Sequence, residues 1–236
     1  MAFSHSFNAK VFVNGYNLTS YFNKAESSGS ADLPDTTVFG DTATTAIAGV
    51  KDGQFSAEGF FDATAAAASP VLEGALNQDG TEVTYFPAGD TVGAGAVGFQ
   101  GPESKYEITS ETTDANKISM ELQSSVGPEA LKASHALTAR TAGGTATVID
   151  NSGATSGGGV SYLHVTACAG GTLTVKQQDS ADNVSYADLI THAAVTANNQ
   201  SERVEVTGTV RQYTRTVWTL TGGTATFVAA VGRIPN

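Results

Sequence analysis

Two residues that could form a nucleophilic pair, His164 and Cys168, lie four positions apart. A histidine beside a cysteine can activate the thiol, so covalent catalysis is the chemistry to test first. Both residues fall in a predicted strand, on the same face as Thr166 between them. Backbone positions four apart in a strand are separated by roughly 13 Å, too far for a side-chain hydrogen bond. We therefore expect a buried thiol beside a half-buried histidine, because a lone cysteine is usually a small core residue.

A second candidate is the spacing of Gly93, Gly95 and Gly98, which matches a dinucleotide-binding fingerprint. That fingerprint requires a preceding strand in a βαβ unit and a helix directly after the glycines. Here the next residues are Phe-Gln-Gly-Pro at 99–102. We therefore interpret the stretch as a flexible glycine loop and predict no bound cofactor.

Acidic residues are plentiful but occur singly along predicted strands and loops, so no pair can be assigned general acid and base roles. His5, His135 and His192 are scattered and lack the spacing of metal ligands. The single cysteine excludes an intrachain disulfide and a multi-thiolate metal site. We expect a protein that is not an enzyme and holds no metal, with an acid-dependent hydrolase as an alternative that rests only on the number of acids.

Aromatic residues offer a third possibility, because Trp218 with Tyr213 could mark a sugar-binding face. A lone tryptophan in a β-sandwich more often belongs to its core. The aromatic residues near the start are predicted to lie in the core or at an interface, with the core favoured. These are Phe3, Phe7, Phe12, Tyr16, Tyr21 and Phe22.

The elements that position these residues are predicted to be short strands. The 26 glycines and a charged fraction of only 15% are typical of strands joined by tight turns. Asn14-Gly15 is a strong hairpin signal. Predicted strands cover residues 9–13, 16–22, 53–61, 81–86, 104–110, 117–124, 160–168, 172–178, 184–189, 203–207, 212–220 and 225–231.

Two short helices complete the predicted all-β fold. The first begins at Ser69 as the N-cap, with Pro70 as the first helical residue, and ends near Gly80. The second opens at Pro128 and runs to His135.

Charge divides the chain near residue 137. Up to Ala136 there are 17 acidic residues and six lysines, whereas six acids and six bases follow, including all five arginines. Residues 141–159 are rich in glycine, serine and threonine and predict an irregular entry into a second domain. We therefore predict two domains, 1–138 and 139–236, the second an immunoglobulin-like β-sandwich.

The net charge of −11 argues against a surface that grips DNA or anionic lipid, because such surfaces need lysine and arginine. No run of about 18 apolar residues exists that could cross a bilayer. The first ten residues lack the pattern of an export signal. We expect a soluble protein made in the cytoplasm.

Three segments carry a resemblance to a known family. Residues 8–19 (NAKVFVNGYNLT), 35–42 (DTTVFGDT) and 53–62 (GQFSAEGFFD) resemble, in this order, segments of the tail tube proteins of tailed bacteriophages. The resemblance covers roughly residues 1–125 and implies a tail-tube-like β-barrel or sandwich domain. A weaker resemblance links residues 148–151, 161–165 and 215–219 to a β-sandwich appended to phage structural proteins.

The family implies a structural virion protein of the tail, made in the host bacterial cytoplasm. Its copies would form stacked hexameric rings, with sheets joined edge to edge around a lumen. Implied partners are further copies, a tape measure protein and a tail terminator, with genomic DNA passing through unbound and no membrane. An acidic wall would repel phosphate and let DNA slide. The alternative is a capsid decoration protein or an adhesion protein for a host surface or glycan.

The long stretch from Ser27 to Asp52 is predicted to be a loop with isolated apolar residues, and loops of this length are usually functional or disordered. In a tail tube subunit it would contact the next ring. The residues we assign to this ring-stacking contact are Thr36, Val38, Phe39, Asp41, Ile47 and Val50.

Overall fold

The computed structural model describes residues 6–40, 42–47 and 49–234. These residues form 17 β-strands, one α-helix and a 3₁₀ turn at Ser6–Asn8, which confirms the predicted all-β class. Within the described ranges no helix has both the length and the apolar character needed to span a bilayer.

The elements follow one another along the chain in this order. The first half contains β1 (Lys10–Val13), β2 (Tyr16–Asn17), β3 (Phe22–Ala31), β4 (Lys51–Phe60), α1 (Ala68–Ala75), β5 (Thr81–Phe86), β6 (Gly95–Gly101), β7 (Glu103–Thr109) and β8 (Lys117–Gln123). The second half contains β9 (Glu129–Arg140), β10 (Gly144–Thr145), β11 (Ile149–Asp150), β12 (Gly159–Ala169), β13 (Thr172–Ser180), β14 (Ala187–Thr191), β15 (Gln200–Val206), β16 (Tyr213–Thr221) and β17 (Thr224–Arg233).

The strands form three antiparallel sheets. The central sheet has eight strands in the order β15-β12-β17-β9-β6-β5-β1-β2. The four-stranded sheet has the order β3-β4-β8-β7. The C-terminal sheet has the order β10-β16-β13-β14, with β11 also paired to β16.

Both faces of the central sheet are apolar, because successive side chains of a strand point to opposite faces. On β1, Val11 and Val13 pack against the four-stranded sheet, while Phe12 points into the interior of the curled central sheet. On β17, Phe227 packs against the C-terminal sheet and Val228 joins the interior. Three separate cores therefore exist: one inside the curl and one under each covering sheet.

A histidine joins the two sides of the curl across its interior. The Gly15 amide donates to His164 Nδ1 at 3.2 Å, and the His164 Nε2–H faces Thr84 Oγ1 at 2.8 Å. The ring also stacks on Phe12, with 5.8 Å between centroids. Burial lowers the pKa of His164 to about 3, so the ring is neutral and acts as a structural crosslink.

A buried charge network closes the same interior near β15. Arg203 Nε donates to Glu129 Oε2 at 2.8 Å, and the Tyr162 hydroxyl donates to the same oxygen at 2.6 Å. The Arg203 amide donates to Glu82 Oε1 at 2.8 Å. These contacts tie β15 to β5 and β9, and so fix the curvature of the central sheet.

The helix α1 differs from the prediction at both ends. Its N-cap is Ala67 rather than Ser69, whose hydroxyl instead lies 2.6 Å from the Tyr106 hydroxyl. The helix ends at Ala75, well before Gly80, because the C-cap Leu76 already leaves the helical region with ψ of 124°. This contact with Tyr106 on β7 holds Ser69 inside the first turn of the helix.

Two other predictions are wrong. Residues 128–135 do not form a helix, since they begin the long strand β9, on which Leu131 and Ala133 point into the interior core. The stretch around Gly95 and Gly98 is the strand β6 rather than a flexible loop. A Cβ at Gly98 would lie 2.5 Å from the Tyr162 ring, so glycine is present there because of close packing.

The predicted boundary between residues 138 and 139 falls inside β9. The central sheet combines strands from both sides of that boundary, and residues 141–159 contain the short strands β10 and β11. Whether 1–138 and 139–236 can fold as separate domains stays a prediction.

Gly98→Val should destabilise the protein by about 2 kcal/mol or more, because the new side chain overlaps Tyr162 and Leu131. Gly95→Val on the same strand is the matched control, because a Cβ added at Gly95 would meet no other atom within 4 Å. Urea unfolding measures both variants. Equal stability of the two would contradict the packing described for β6.

Candidate assembly surface

The four-stranded sheet has one buried and one polar face. On β4, Phe55 and Ala57 point into the core that the sheet shares with the central sheet, whereas Ser56 and Glu58 point outward. On β8, Ile118, Met120 and Leu122 are buried in the same core. The outward face therefore presents only every second residue of each strand.

Charged pairs dominate this polar face. Lys24 lies 3.3 Å from both Glu26 and Glu58, and Lys105 lies 2.9 Å from Glu107. From the register, the face carries five carboxylates against three lysines. They are Glu26, Asp52, Glu58, Glu107 and Glu121, with Lys24, Lys105 and Lys117.

Both edges of this sheet are open along most of their length. Among the described residues, β3 pairs in the sheet only with β4, and β7 only with β8 apart from a single bridge between Leu76 and Glu103. The three pairings are antiparallel, so β3 and β7 run in opposite directions. Each edge offers backbone groups that can pair with another strand.

An arm formed by residues 32–50 extends the β3–β4 hairpin beyond the sheet. Its two sides are joined by the Asp32 amide to the Val50 carbonyl at 2.9 Å and by the Thr36 amide to the Thr45 carbonyl at 2.8 Å. An isolated bridge pairs Asp35 with Ala46. The predicted loop is thus shorter than 27–52, because the strands run to Ala31 and from Lys51.

Five of the six predicted ring-stacking residues lie on the described parts of this arm. Thr36, Val38, Phe39, Ile47 and Val50 are all exposed, and Asp41 lies outside the described residues. Phe39 is 111% exposed, so its whole ring faces solvent. Their role in stacking stays a prediction, but the structure places their apolar side chains where another molecule can cover them.

A buried carboxyl that the sequence analysis missed lies at the start of β7. A β-bulge between Glu103 and Lys105 turns the Glu103 side chain toward the core beside Leu122. Glu103 is 1% exposed, and its carboxyl oxygens have no hydrogen-bond partner among the described residues. Burial raises its pKa to about 8. A β-bulge cannot be recognised from the alternation of polar and apolar residues along a strand. The sequence therefore gives no indication that Glu103 is buried.

Glu82 is the second carboxyl whose pKa is raised by burial. It points into the interior of the central sheet toward Arg203, whereas Glu103 lies with Leu122 in the core under the four-stranded sheet. The two acids thus occupy different faces of the central sheet. Across the described ranges there is no group of three or more His, Cys, Asp or Glu side chains that could hold a metal.

His164 and Cys168 do not share a face, contrary to the prediction. A β-bulge between Val165 and Ala167 reverses the alternation, so Cys168 joins Val165 under the C-terminal sheet while His164 points into the interior. The histidine is fully rather than half buried, and the thiol is buried as expected. The pair is therefore not arranged for nucleophilic chemistry.

Trp218 is a core residue rather than part of a sugar-binding face. It is 5% exposed, it packs edge-on against Phe227, and its Nε1–H donates to the Ala142 carbonyl at 2.9 Å. Arg140 covers the ring at 4.7 Å from the ring centroid. No face of the indole is left to stack on a sugar.

Fold and surface together define an all-β protein with open sheet edges and an exposed apolar arm. No protein-family model and no curated protein sequence matches the chain significantly. Among solved structures, it is similar to proteins of phage tails and of gene transfer agent particles.

Two such structures differ in how much of the chain they match. A protein from the virion of a native gene transfer agent particle has a TM-score of 0.45 and 10% identity, and the match covers 53% of this chain and 97% of that one. The SPP1 Dit protein, described as a hub of the adsorption apparatus of phages that infect Gram-positive bacteria, has a TM-score of 0.38 and 12% identity. That match covers 95% of this chain and 99% of that one.

Glu103→Gln should become more stable relative to the parent protein as pH rises from about 4.5 to about 8, because unfolded Glu103 loses its proton near 4.5 and the folded side chain keeps it to about 8. The gain should be on the order of 4 kcal/mol at pH 8. Denaturant unfolding of both proteins across this pH range measures it, and the comparison is made between variants because buried His164 gives the opposite pH slope below about pH 6.5. Glu107→Gln, exposed on the same strand, is the control, and a difference between Glu103→Gln and the parent that stays constant with pH would contradict the prediction.

Proposed function

We propose that this chain is a structural, non-catalytic subunit of a phage-type tail, whose copies form stacked hexameric rings that build the tail tube. The observation that carries the proposal is the four-stranded sheet, with one buried face, one polar face and two open edges of opposite direction. The segments at residues 8–19, 35–42 and 53–62 add the resemblance to tail tube proteins. The overall similarity to solved structures, with TM-scores below 0.5, does not carry it.

The opposite direction of β3 and β7 suits a ring. Copies related by a rotation axis all point the same way, so β7 of one copy would meet β3 of the next in the antiparallel sense. The alternation of strands then continues across each subunit boundary. Closing the ring pairs every open edge of this sheet, which also protects those edges from uncontrolled association. The number six comes from the family resemblance alone.

The polar face of the four-stranded sheet would line the lumen. It carries more carboxylates than lysines, and the sequence has no arginine before Arg140. Lys24 and Lys105 each lie within salt-bridge distance of two carboxylates. A phosphate backbone would therefore meet few uncompensated cations, which favours passage of DNA over binding. The C-terminal sheet would lie on the outside of the tube.

This role places the chain in the virion tail after synthesis in the host cytoplasm. Its main partner would be further copies of itself, and the ends of the tube would meet a tape measure protein and a tail terminator. Capsid decoration or adhesion remains the alternative for a chain that does not assemble.

The purified protein should form rings or hollow tubes visible by negative-stain electron microscopy. Phe39→Ser should raise the concentration needed for tubes at least about tenfold, because it removes an apolar ring from each contact between rings. Stability of the monomer should not change, since the ring is exposed.

Val184→Ser is the matched control, because Val184 is 80% exposed but lies next to β14 of the C-terminal sheet. It should assemble like the parent protein. Parent protein that stays monomeric by light scattering and imaging at every concentration tested would contradict the tube role and favour the decoration role.

A further inference from the structure

A cleft of about 420 Å³ lies at the end of the four-stranded sheet that is remote from the arm. The first residues of β3 line it, Phe22 and Ala25 among them, together with Val11 and Tyr85. The arm leaves the same strand after Ala31. At roughly 3.3 Å per residue, the six residue steps from Ala25 to Ala31 put about 20 Å between the cleft and the base of the arm.

The cleft and the arm have complementary chemistry. The residues that line the cleft are mainly aromatic or small, and Lys24 is the single charged one among them. The arm exposes the whole Phe39 ring, and its described charged residues are Asp32 and Asp35. The sequence has no lysine or arginine between residues 32 and 50. The exposed Phe39 ring of the arm thus matches the aromatic and small residues that line the cleft.

We propose that this cleft is the docking site for the arm of a second copy of the chain in the adjacent ring. The inference rests on the proposed tube, because it needs rings that stack in one orientation. In such a stack, the face of a ring that carries the arms meets only the opposite face of the next ring. The cleft lies at that opposite face, so each copy offers one arm and one cleft.

Phe39 fills the aromatic part of the cleft between Phe22 and Tyr85 in this arrangement. A cleft of this volume falls within the range of about 300–1,000 Å³ that accommodates small ligands, so a phenyl ring fits with room for neighbouring arm residues. Burying that ring supplies the apolar contact.

A second cavity, of about 320 Å³, is excluded as the acceptor by its position. It is lined by Lys51, Pro128 and Arg233 among others, and Lys51 is the residue at which the arm rejoins the sheet. This cavity therefore lies at the arm's own end of the subunit. Rings stacked in one orientation cannot bring a neighbour's arm to it.

Disulfide trapping between two variants tests the assignment. One variant carries Phe39→Cys on the arm and the other carries Asn23→Cys, an exposed position at the cleft. The native Cys168 stays in place because it is buried. Mixed and oxidised under assembly conditions, the two should give a crosslinked heterodimer at a yield at least about tenfold above the control pair, because docking raises the local thiol concentration.

The control pairs combine Phe39→Cys with Val184→Cys, remote from the cleft, or with Val126→Cys, at the second cavity. Tubes that form without a Phe39–Asn23 crosslink, or that crosslink Phe39 to position 126 instead, would overturn the cleft and leave the tube intact. If the parent protein forms no rings or tubes, both the cleft and the proposed function fail.

Discussion

The central sheet is apolar on both faces, and the rest of the structure depends on covering them. On β1 alone, Val11 and Val13 need cover on one side and Phe12 on the other. The sheet solves this by curling so that Phe12 meets Tyr162 and Val228 inside, while two smaller sheets cover separate parts of its outer surface. Polar crosslinks through His164 and Arg203 hold the curl closed. The three cores depend on that single geometry.

This arrangement leaves the four-stranded sheet buried on one side only. Its inner residues, such as Phe55 and Met120, fix it to the central sheet, so its edges and outer face remain available for other molecules. A β-bulge separates His164 from Cys168, and the two carboxyls whose pKa is raised by burial face different cores. In the proposed assembly, the open edges and the outer face of this sheet contact further copies of the chain.

The sequence predicts best those strands in which the alternation of side chains between the two faces is uninterrupted. Residues 81–86 form a strand with the predicted bounds, because every second side chain fits a core. β6 was not predicted as a strand because it contains Gly98. The Tyr162 ring requires a glycine there, and the sequence of a single strand does not reveal such close packing with another strand. Residues 128–135 have helix-forming residues after a proline, but burial of Leu131 and Ala133 in the interior outweighs that local preference. The exposed arm was predictable, because its apolar residues are isolated in the sequence. The proposed acceptor cleft was not predictable, because strands that are distant in the sequence meet to form it.

In the proposed ring, the four-stranded sheet continues into neighbouring copies through β3 and β7. Amide hydrogen exchange of the assembled and unassembled protein tests it directly, because edge amides exchange quickly until they pair. We expect assembly to slow exchange along residues 22–31 and 103–109 while the edge strand β15 changes little. Unchanged exchange on β3 and β7, with new protection on β15 or β14 instead, would contradict the account.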